Sequence, residues 1–564
     1  MNETLRVIFG LLGGLAVFIF GMNMMSECLQ KAAGEKMKAI LSLLTKNPVL
    51  GVLAGALTTA VLQSSSATTV MAIGFVSAGL MTLPQAISII LGANIGTTMT
   101  AQIIAFKISD YIYVFIFLGF LVSFIWKSEK VKNIGQTIFA FGLLFLGIET
   151  MGSVMKPLAG SPVFTDMIAK VADIPVLGVL VGTLMTLVVQ SSSATIAVLQ
   201  NFASQAGSDG ATSIIGLAGA IPILLGDNIG TTITAILASI GQNKDAKRTA
   251  VAHCVFNLSG ALLFIWFVKP YTHLIQRISP KGAEVDVIAR QIANAHTGFN
   301  LTMTVLWIPL IAIMVKIVMM IVPDKKANTQ LLPSSPKYLD NKLVSQPVAA
   351  LHLVAKEVVR CSELVKEMLV MVKNGNSKEN PIIIKDMVEK AQIEHELNES
   401  ITDYLSVMYS EGVLTEEQAN QSTGIMYVLS DIDRMAELCR DISENVGQTT
   451  GKKQKYSKEA LKELRKSVSV ILDMYEDAMN AIITGEKNMQ ENIQEKKEEV
   501  LLLDEKMRMA HAERVGKKKC DAKLTIPYNN ILHNIDRMGN SCVNLVDTAL
   551  NHVNLKVFLA DEHA

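Results

Sequence analysis

The sequence predicts an all-α protein of two parts, a polytopic membrane half and a soluble helical half, and three observations carry that prediction. Residues 47–106 and 174–208 contain no Asp, Glu, Lys or Arg, and Asp227 is alone between 210 and 243. Uncharged runs of that length belong inside a bilayer. Beyond a linker that ends at Pro347 the chain turns charged with helical periodicity, and only Pro381 and Pro527 interrupt it. Finally, the 18-residue block Gly51 to Thr68 recurs 127 positions later as Gly178 to Thr195, with 13 identities. Each copy is followed by a second repeated block, Leu91 to Thr98 and Leu225 to Thr232. Paired hydroxyl- and amide-rich blocks in apolar surroundings predict a transporter whose substrate site lies between two repeats.

The whole chain of 564 residues is 50% hydrophobic with a formal charge of zero, but that zero is a sum of unlike halves. Residues 1–326 carry 21 Lys and Arg against 14 Asp and Glu, leaving 30 against 37, so the balance is +7 and −7. The 6 cysteines, Cys28, Cys254, Cys361, Cys439, Cys520 and Cys542, lack CxxC or CxxH spacing, which argues against a metal cluster or disulfide framework. Met1 to Arg6 runs into an apolar segment with no basic stretch or cleavage site, so no removable signal is expected. There is no nucleotide loop, nucleophile triad or zinc spacing, so an enzyme is not expected, nor is nucleic acid a partner.

In chain order, apolar segments of spanning length run over about 5–26, 84–106, 111–126, 134–151, 213–240, 246–268 and 298–322. The duplicated stretches 49–80 and 174–200 hold a polar tract in mid-segment, which a lipid-facing helix would not tolerate, so each reads as a re-entrant helical hairpin. Three crossings then precede the second repeat, which enters upside down and makes the repeats inverted. Lys31, Lys36, Lys38 and Lys46, then Lys127, Lys130 and Lys132, then Lys244, Lys247 and Arg248, then Lys325 and Lys326 fall on one side, predicted to be cytoplasmic. The loop 269–296, with Lys269, Arg277, Lys281 and Arg290, lands outside and fits that rule poorly. The resulting organisation is a membrane domain over 1–324 (repeat one about 5–126, repeat two about 134–268, final helix about 298–322), a linker over 325–345 with Pro333 and Pro336, a helical domain over 346–556 and a tail over 557–564.

A helix broken at Ser64, Ser65 and Ser66, or at Ser191, Ser192 and Ser193, leaves backbone N–H groups free at the start of the next half-helix. Those amides, the positive end of the dipole and the hydroxyls can replace the water shell of an oxyanion, with Gln63 and Gln190 beside them. Freed carbonyls and the oxygens of Thr68, Asn94, Thr97, Thr98, Thr195, Asn228, Thr231 and Thr232 suit a hard cation such as sodium. A co-bound cation offsets the cost of a bare dianion in an apolar site. Close helix packing is the competing reading of these small residues, and the more natural one for Gly92, Gly96, Gly226 and Gly230. Asp227 stands where the first block has Ala93, and reads as a sodium ligand or proton acceptor, or as a carboxylate bonded to a neighbouring helix. A third echo sets His253 and Asn257 beside His296 and Asn300, each pair four apart on one helical face, for substrate contact or interhelical bonding. Arg248 and Arg290, just upstream, either draw an anion inward or are solvated at the interface.

At these residues the chain resembles the type II sodium–phosphate cotransporter family, whose mark is a duplicated QSSS motif, here Gln63 to Ser66 and Gln190 to Ser193. The resemblance covers roughly residues 5–322 and implies inverted repeats, inorganic phosphate as substrate, sodium as coupling ion and no required cofactor. It places the chain in the cytoplasmic membrane with its C-terminal part in the cytoplasm, and is compatible with a homo-oligomer. Import, export of excess phosphate, and a membrane sensor that no longer transports all remain open.

Helices are predicted near 346–373, 382–410, 415–446, 456–484, 486–516 and 526–555, two sets of three. The repetition shows at Leu429 to Glu437 and Leu532 to Asn540. This pattern resembles PhoU-like domains, two three-helix bundles with acidic motifs associated with a divalent or iron-type metal. Asp433 and Glu437 are the candidate ligands of one copy; the other has Asp536 but Asn540, and a solvated charged face is the alternative for both.

Overall fold

The structure is a computed structural model that describes residues 3–41, 47–77, 80–106, 109–159, 174–207, 210–323, 334–375, 381–411, 414–447, 456–486 and 488–559. Lys46, Lys325, Lys326, Pro333 and the end of the tail lie outside the described residues, as do the side chains of Lys36 and Lys38. The chain divides into two compact units, Met1–Lys326 and Ala327–Ala564. Apart from one isolated bridge between Ala206 and Ser213, regular structure among the described residues is helical.

The first unit opens with α1 (Glu3–Leu41), α2 (Pro48–Leu62), α3 (Ser65–Ser77), α4 (Leu83–Gly96) and α5 (Thr98–Ile104). It continues through α6 (Ile112–Ile125), α7 (Glu129–Ala159), α8 (Pro175–Val189), α9 (Ser192–Ala203) and α10 (Gly216–Ser239). Its last helices are α11 (Lys244–Phe264), α12 (Val268–Ile278), α13 (Glu284–Trp307) and α14 (Ile311–Ile321). Six stretches are long and apolar enough to cross a bilayer: Leu5–Lys31, Leu83–Ile104, Glu129–Met155, Gly216–Ser239, Lys244–Ile278 and Glu284–Ile321. The protein is a multi-pass membrane protein. The seventh expected span, α6, has 14 residues, a rise of about 21 Å against a hydrocarbon core of about 30 Å.

Two boundaries differ from the sequence expectation. The stretch read as an outside loop over 269–296 is mostly helical, because α11 runs on through a 3-10 turn at Ile265–Phe267 into α12. Likewise α13 begins at Glu284, and a 3-10 turn at Ile308–Leu310, which carries Pro309, joins it to α14. Charged residues at the ends of these helices masked their length, since a hydropathy reading stops at Arg290 and Lys269 while the backbone ladder does not.

Glycines set how closely the repeats' own helices cross. A Cβ on Gly55 of α2 would lie 2.1 Å from Ile89 O of α4, and one on Gly92 would lie 1.9 Å from Val52 O. The second repeat does the same: Gly182 of α8 meets Ile223 O at 1.9 Å, and Gly226 of α10 meets Val179 O at 2.0 Å. Only glycine permits this backbone-on-backbone contact, which is how membrane helices gain dispersion energy without a hydrophobic drive. Across the repeats the exchange is reciprocal: α3 packs on α10 and α11, and α9 packs on α5 and α13.

The second unit holds α15 (Pro347–Gly375), α16 (Pro381–Ser410), α17 (Glu416–Gly447), α18 (Lys458–Thr484), α19 (Gln490–Gly516), α20 (Thr525–Asn551) and a short α21 (Lys556–Leu559). The two sets of three share a single apolar core, with residues such as Val358, Ile432, Ile471 and Ile535 in one cluster. The helices carrying the repeated acidic motif, α17 and α20, pack on each other.

Candidate functional site in the paired hairpins

Both duplicated stretches break where the sequence places the polar tract. Gln63 ends α2 at φ 52, ψ 23, and Gln190 ends α8 at φ 54, ψ 24. A left-handed glutamine costs on the order of 1–3 kcal/mol, and it appears here twice at matching positions. The next serine caps the following half-helix: Ser64 Oγ accepts from Ala67 N at 3.1 Å, and Ser191 Oγ accepts from Ala194 N at 3.2 Å. The first intrahelical bonds run from Thr68 N to Ser64 O and from Thr195 N to Ser191 O. The amides of Ser65, Ser66, Ser192 and Ser193 therefore have no intrahelical acceptor and head two helix dipoles.

Behind each break stands a threonine pair. Thr59 Oγ1 donates to Thr68 Oγ1 at 2.8 Å, and Thr186 Oγ1 lies 3.1 Å from Thr195 Oγ1. In the second repeat Thr186 Oγ1 also donates to Asp227 Oδ1 at 2.6 Å, and Asp227 Oδ2 is buried with no hydrogen-bond partner. The structure thus gathers Thr186, Thr195 and Asp227 into one cluster. Thr186 escaped the sequence reading, although its identity with Thr59 in the repeated block was a usable signal.

The first tract is tied into both repeats. Thr100 Oγ1 donates to Gln63 Oε1 at 2.9 Å, and Thr234 Oγ1 reaches Ser66 Oγ at 3.1 Å. These two threonines, at equivalent positions two residues past the second repeated block, were also not anticipated. Gln63 is buried whereas Gln190 is exposed. Among the described residues no hydrogen bond joins the two serine tracts directly.

The companion blocks hold the third echo. Asn94 Nδ2 donates to Ile90 O at 2.8 Å, which turns its Oδ1 toward His253 Nε2 at 3.3 Å and Asn257 Nδ2 at 3.5 Å. The second repeat matches: Asn228 Nδ2 donates to Leu224 O, and its Oδ1 faces His296 Nε2 at 3.1 Å. Asn257 and Asn300 each donate to the carbonyl of the histidine one turn back. Each histidine thus bonds an asparagine of another helix. Thr98, the first residue of α5, donates to Ile95 O of α4, Thr231 and Thr232 donate to carbonyls of their own helix α10, and Thr97 sits at the junction of α4 and α5.

Both arginines have partners, Arg248 as a buried residue and Arg290 as a half-buried one. Arg248 is buried, paired with Asp245 at 2.7 Å and bonded to Val322 O. Arg290 donates to Gln102 O at 3.0 Å and Gln102 Oε1 at 2.6 Å, and covers the Phe106 ring at 4.4 Å.

In the second unit two of the three acidic motif residues have partners. Asp433 meets His395 Nδ1 at 3.1 Å, and Asp536 meets Lys497 Nζ at 2.5 Å. Among the described residues no group of three or more His, Cys, Asp or Glu is placed to hold a metal. The expectation of a metal at Asp433, Glu437 and Asp536 thus finds no support, because a lysine neutralises one acid and a histidine binds another. Beside them Glu394 is fully buried, and neither of its oxygens meets a donor. Burial, then the neighbouring Asp433, raises its carboxyl to about 9.

Comparison with known proteins places both hairpin segments within one family of transporters. The Na+/Pi-cotransporter family profile matches twice, over residues 17–153 and 150–279. The uncharacterized protein YqeW of Bacillus subtilis is 33% identical over 308 residues, 55% of this chain and 96% of that protein. The putative inorganic phosphate export protein YjbB of Escherichia coli K12 is 24% identical over 510 residues, 90% of each. The human sodium-dependent phosphate transport protein 2B is 39% identical over 97 residues, 17% of this chain and 14% of that protein. No solved structure gives a significant match. Two tandem matches that bracket the two hairpins, and a relative aligned over almost its whole length, establish that the chain belongs to the Na+/Pi-cotransporter family.

Proposed function

We infer that phosphate transport is the activity of this chain, since its family is one of transporters, not enzymes. We propose that this chain moves inorganic phosphate together with sodium across the cytoplasmic membrane, with phosphate held between two inverted hairpin tips. The observation that carries the reading is the doubled break: two left-handed glutamines, each followed by a serine-capped half-helix with free amides. Amides and hydroxyls of Ser64 to Ser66 and Ser191 to Ser193 then supply donors to an oxyanion without a buried Lys or Arg. Sodium is held beside it by Asp227, whose second oxygen lacks a partner, with Thr68, Thr195, Asn94 and Asn228 contributing oxygens. The helical second unit lies in the cytoplasm and regulates the carrier.

Labelled-phosphate flux in proteoliposomes under imposed sodium, proton and voltage gradients tests this. Ser65→Ala and Ser192→Ala, made singly, each lower flux by about tenfold or more, as loss of a charge-assisted donor implies. Flux indifferent to both would remove the serine tracts from the site. Export is the second reading, favoured by the alignment over 90% of both chains with a protein named as a putative phosphate exporter. Net efflux of phosphate against an inward sodium gradient would select it.

A further inference from the structure

The two hairpins are held in place by different chemistry at equivalent positions. Shifting Ile73 by 127 positions gives Gln200, Ala235 is the second-repeat counterpart of Ala101, and Ala246 precedes His253 as Ala289 precedes His296. On the α3 side Ile73 is buried in an aliphatic cluster with Ala235, Ala238, Ala246 and Ala250. On the α9 side the equivalent slot holds a fully buried glutamine. Gln200 Nε2 donates to Ala101 O at 3.1 Å and Ala289 O at 2.9 Å, while its Oε1 is buried with no partner. A second amide extends this polar seam: Gln102 Nε2 donates to Asn294 Oδ1 and Thr297 Oγ1, and Arg290 donates back to Gln102. Hydrogen bonds on the α3 side lie at the two ends of the helix, Thr234 on Ser66 at its start and Asn243 on Ser77 at its finish, and among the described residues none is made at the Ile73 slot.

The first arms differ in the same sense. Seven residues of α2 are buried, Gly51, Val52, Ala54, Gly55, Thr58, Thr59 and Leu62, against Gly178, Gly182 and Thr186 of α8. Leu184 and Val188 of α8 are 60% and 83% exposed. An aliphatic contact excludes water and resists opening, whereas a polar seam with an unsatisfied carbonyl gains partners when water enters.

Resting on the transport reading above, we infer that the second hairpin, residues 175–203, is the element that opens, with Gln200 as the latch that positions it, while the first hairpin is the fixed wall. Opening breaks two hydrogen bonds to Gln200 and hydrates its third site, and the seam lets water reach the serine tract of α9 along Arg290.

Amide hydrogen exchange of the full-length protein in lipid nanodiscs reads this directly. In the unaltered protein, amides of Ser192–Ala203 exchange about tenfold or more faster than those of Ser65–Ser77, the factor that an unsatisfied buried carbonyl represents. Gln200→Ile brings α9 to within about twofold of α3, and slows phosphate turnover while leaving phosphate affinity unchanged. Gln200→Asn, which keeps a carboxamide, retains more turnover than Gln200→Ile. The exchanged pair Ile73→Gln with Gln200→Ile carries the fast exchange to the first hairpin. Equal exchange of the two hairpins in the unaltered protein, or a faster first hairpin, overturns the inference even where a substituted protein fails to fold. Absence of phosphate flux in the unaltered protein would strike the transport reading instead, and the exchange pattern would still be read.

Discussion

Gly182→Ala tests whether the close crossing of α8 and α10 is what builds the Asp227 cluster. The new Cβ falls 1.9 Å from Ile223 O and 3.0 Å from Asp227 N. Ordinary C···O contact begins near 3.3 Å, so the helices must part by about 1.4 Å. Thr186 lies one turn from Gly182 on the same face, and its bond to Asp227 is 2.6 Å long. Adding the separation takes that pair to about 4 Å, past hydrogen-bonding reach. Overpacking of this kind costs about 1–3 kcal/mol, and here it also strips Asp227 of its one donor. The control is Gly55→Ala, whose Cβ falls 2.1 Å from Ile89 O in the first repeat, where Ala93 replaces the acid. Both variants should lose thermal stability by similar amounts, measured in detergent or nanodiscs. Only Gly182→Ala should raise the sodium concentration needed for half-maximal phosphate flux, by about tenfold, as loss of one hydrogen bond to a charged group implies. If both substitutions shift the sodium dependence equally, or neither does, the crossing is packing alone and Asp227 is not the cation's ligand.

Three further outcomes follow from single side chains. Asp227→Ala, which recreates the first repeat's residue, should lower the charge moved per phosphate, read as a weaker voltage dependence of flux, since each charge contributes about 2.3 kcal/mol per 100 mV. Thr186→Val should weaken sodium dependence in the same direction while leaving the Thr59 to Thr68 pair of the first hairpin untouched. Glu394 titrates near 9 in the folded second unit against 4.5 in an unfolded chain, so its stabilising effect is complete below about pH 4.5 and is lost as pH rises through about 9. Chemical denaturation of the second unit should show stability falling across that window, and Glu394→Gln should flatten the slope; an unchanged slope would mean the buried carboxyl does not set it.

Much of this was legible because the repeats wrote each feature twice. The polar breaks of the two hairpins and the six long helices of the second unit fall where repetition and periodicity put them, whereas the partners of the third echo, Asn94 for His253 and Asn228 for His296, appear only in the structure. What escaped were residues whose role depends on what faces them. Thr186 looks like any small residue on a membrane helix until Asp227 is seen 2.6 Å away. Gln200 carries no motif, and only its position opposite Ala101 and Ala289 gives it meaning. The metal expectation finds no support in the second unit for a related reason: sequence spacing states where carboxylates point, not which group answers them, and His395 answers Asp433 while Lys497 answers Asp536, each from another helix whose register no local pattern reveals.

The differences between the repeats therefore matter more than their identity. Two equal halves would bind and release an ion pair with no preference for either face. This chain departs from equality at Asp227 against Ala93, at exposed Gln190 against buried Gln63, and at Gln200 against Ile73. All three departures give the second repeat the more polar or less buried member of the pair. A carrier needs one end of its site to yield before the other, and the side whose buried polar groups are least satisfied is the side where hydration costs least. On the reading proposed above, the repeat that holds the buried Asp227 also holds the weaker seal, and a cation on that acid would be coupled to the element whose movement admits it.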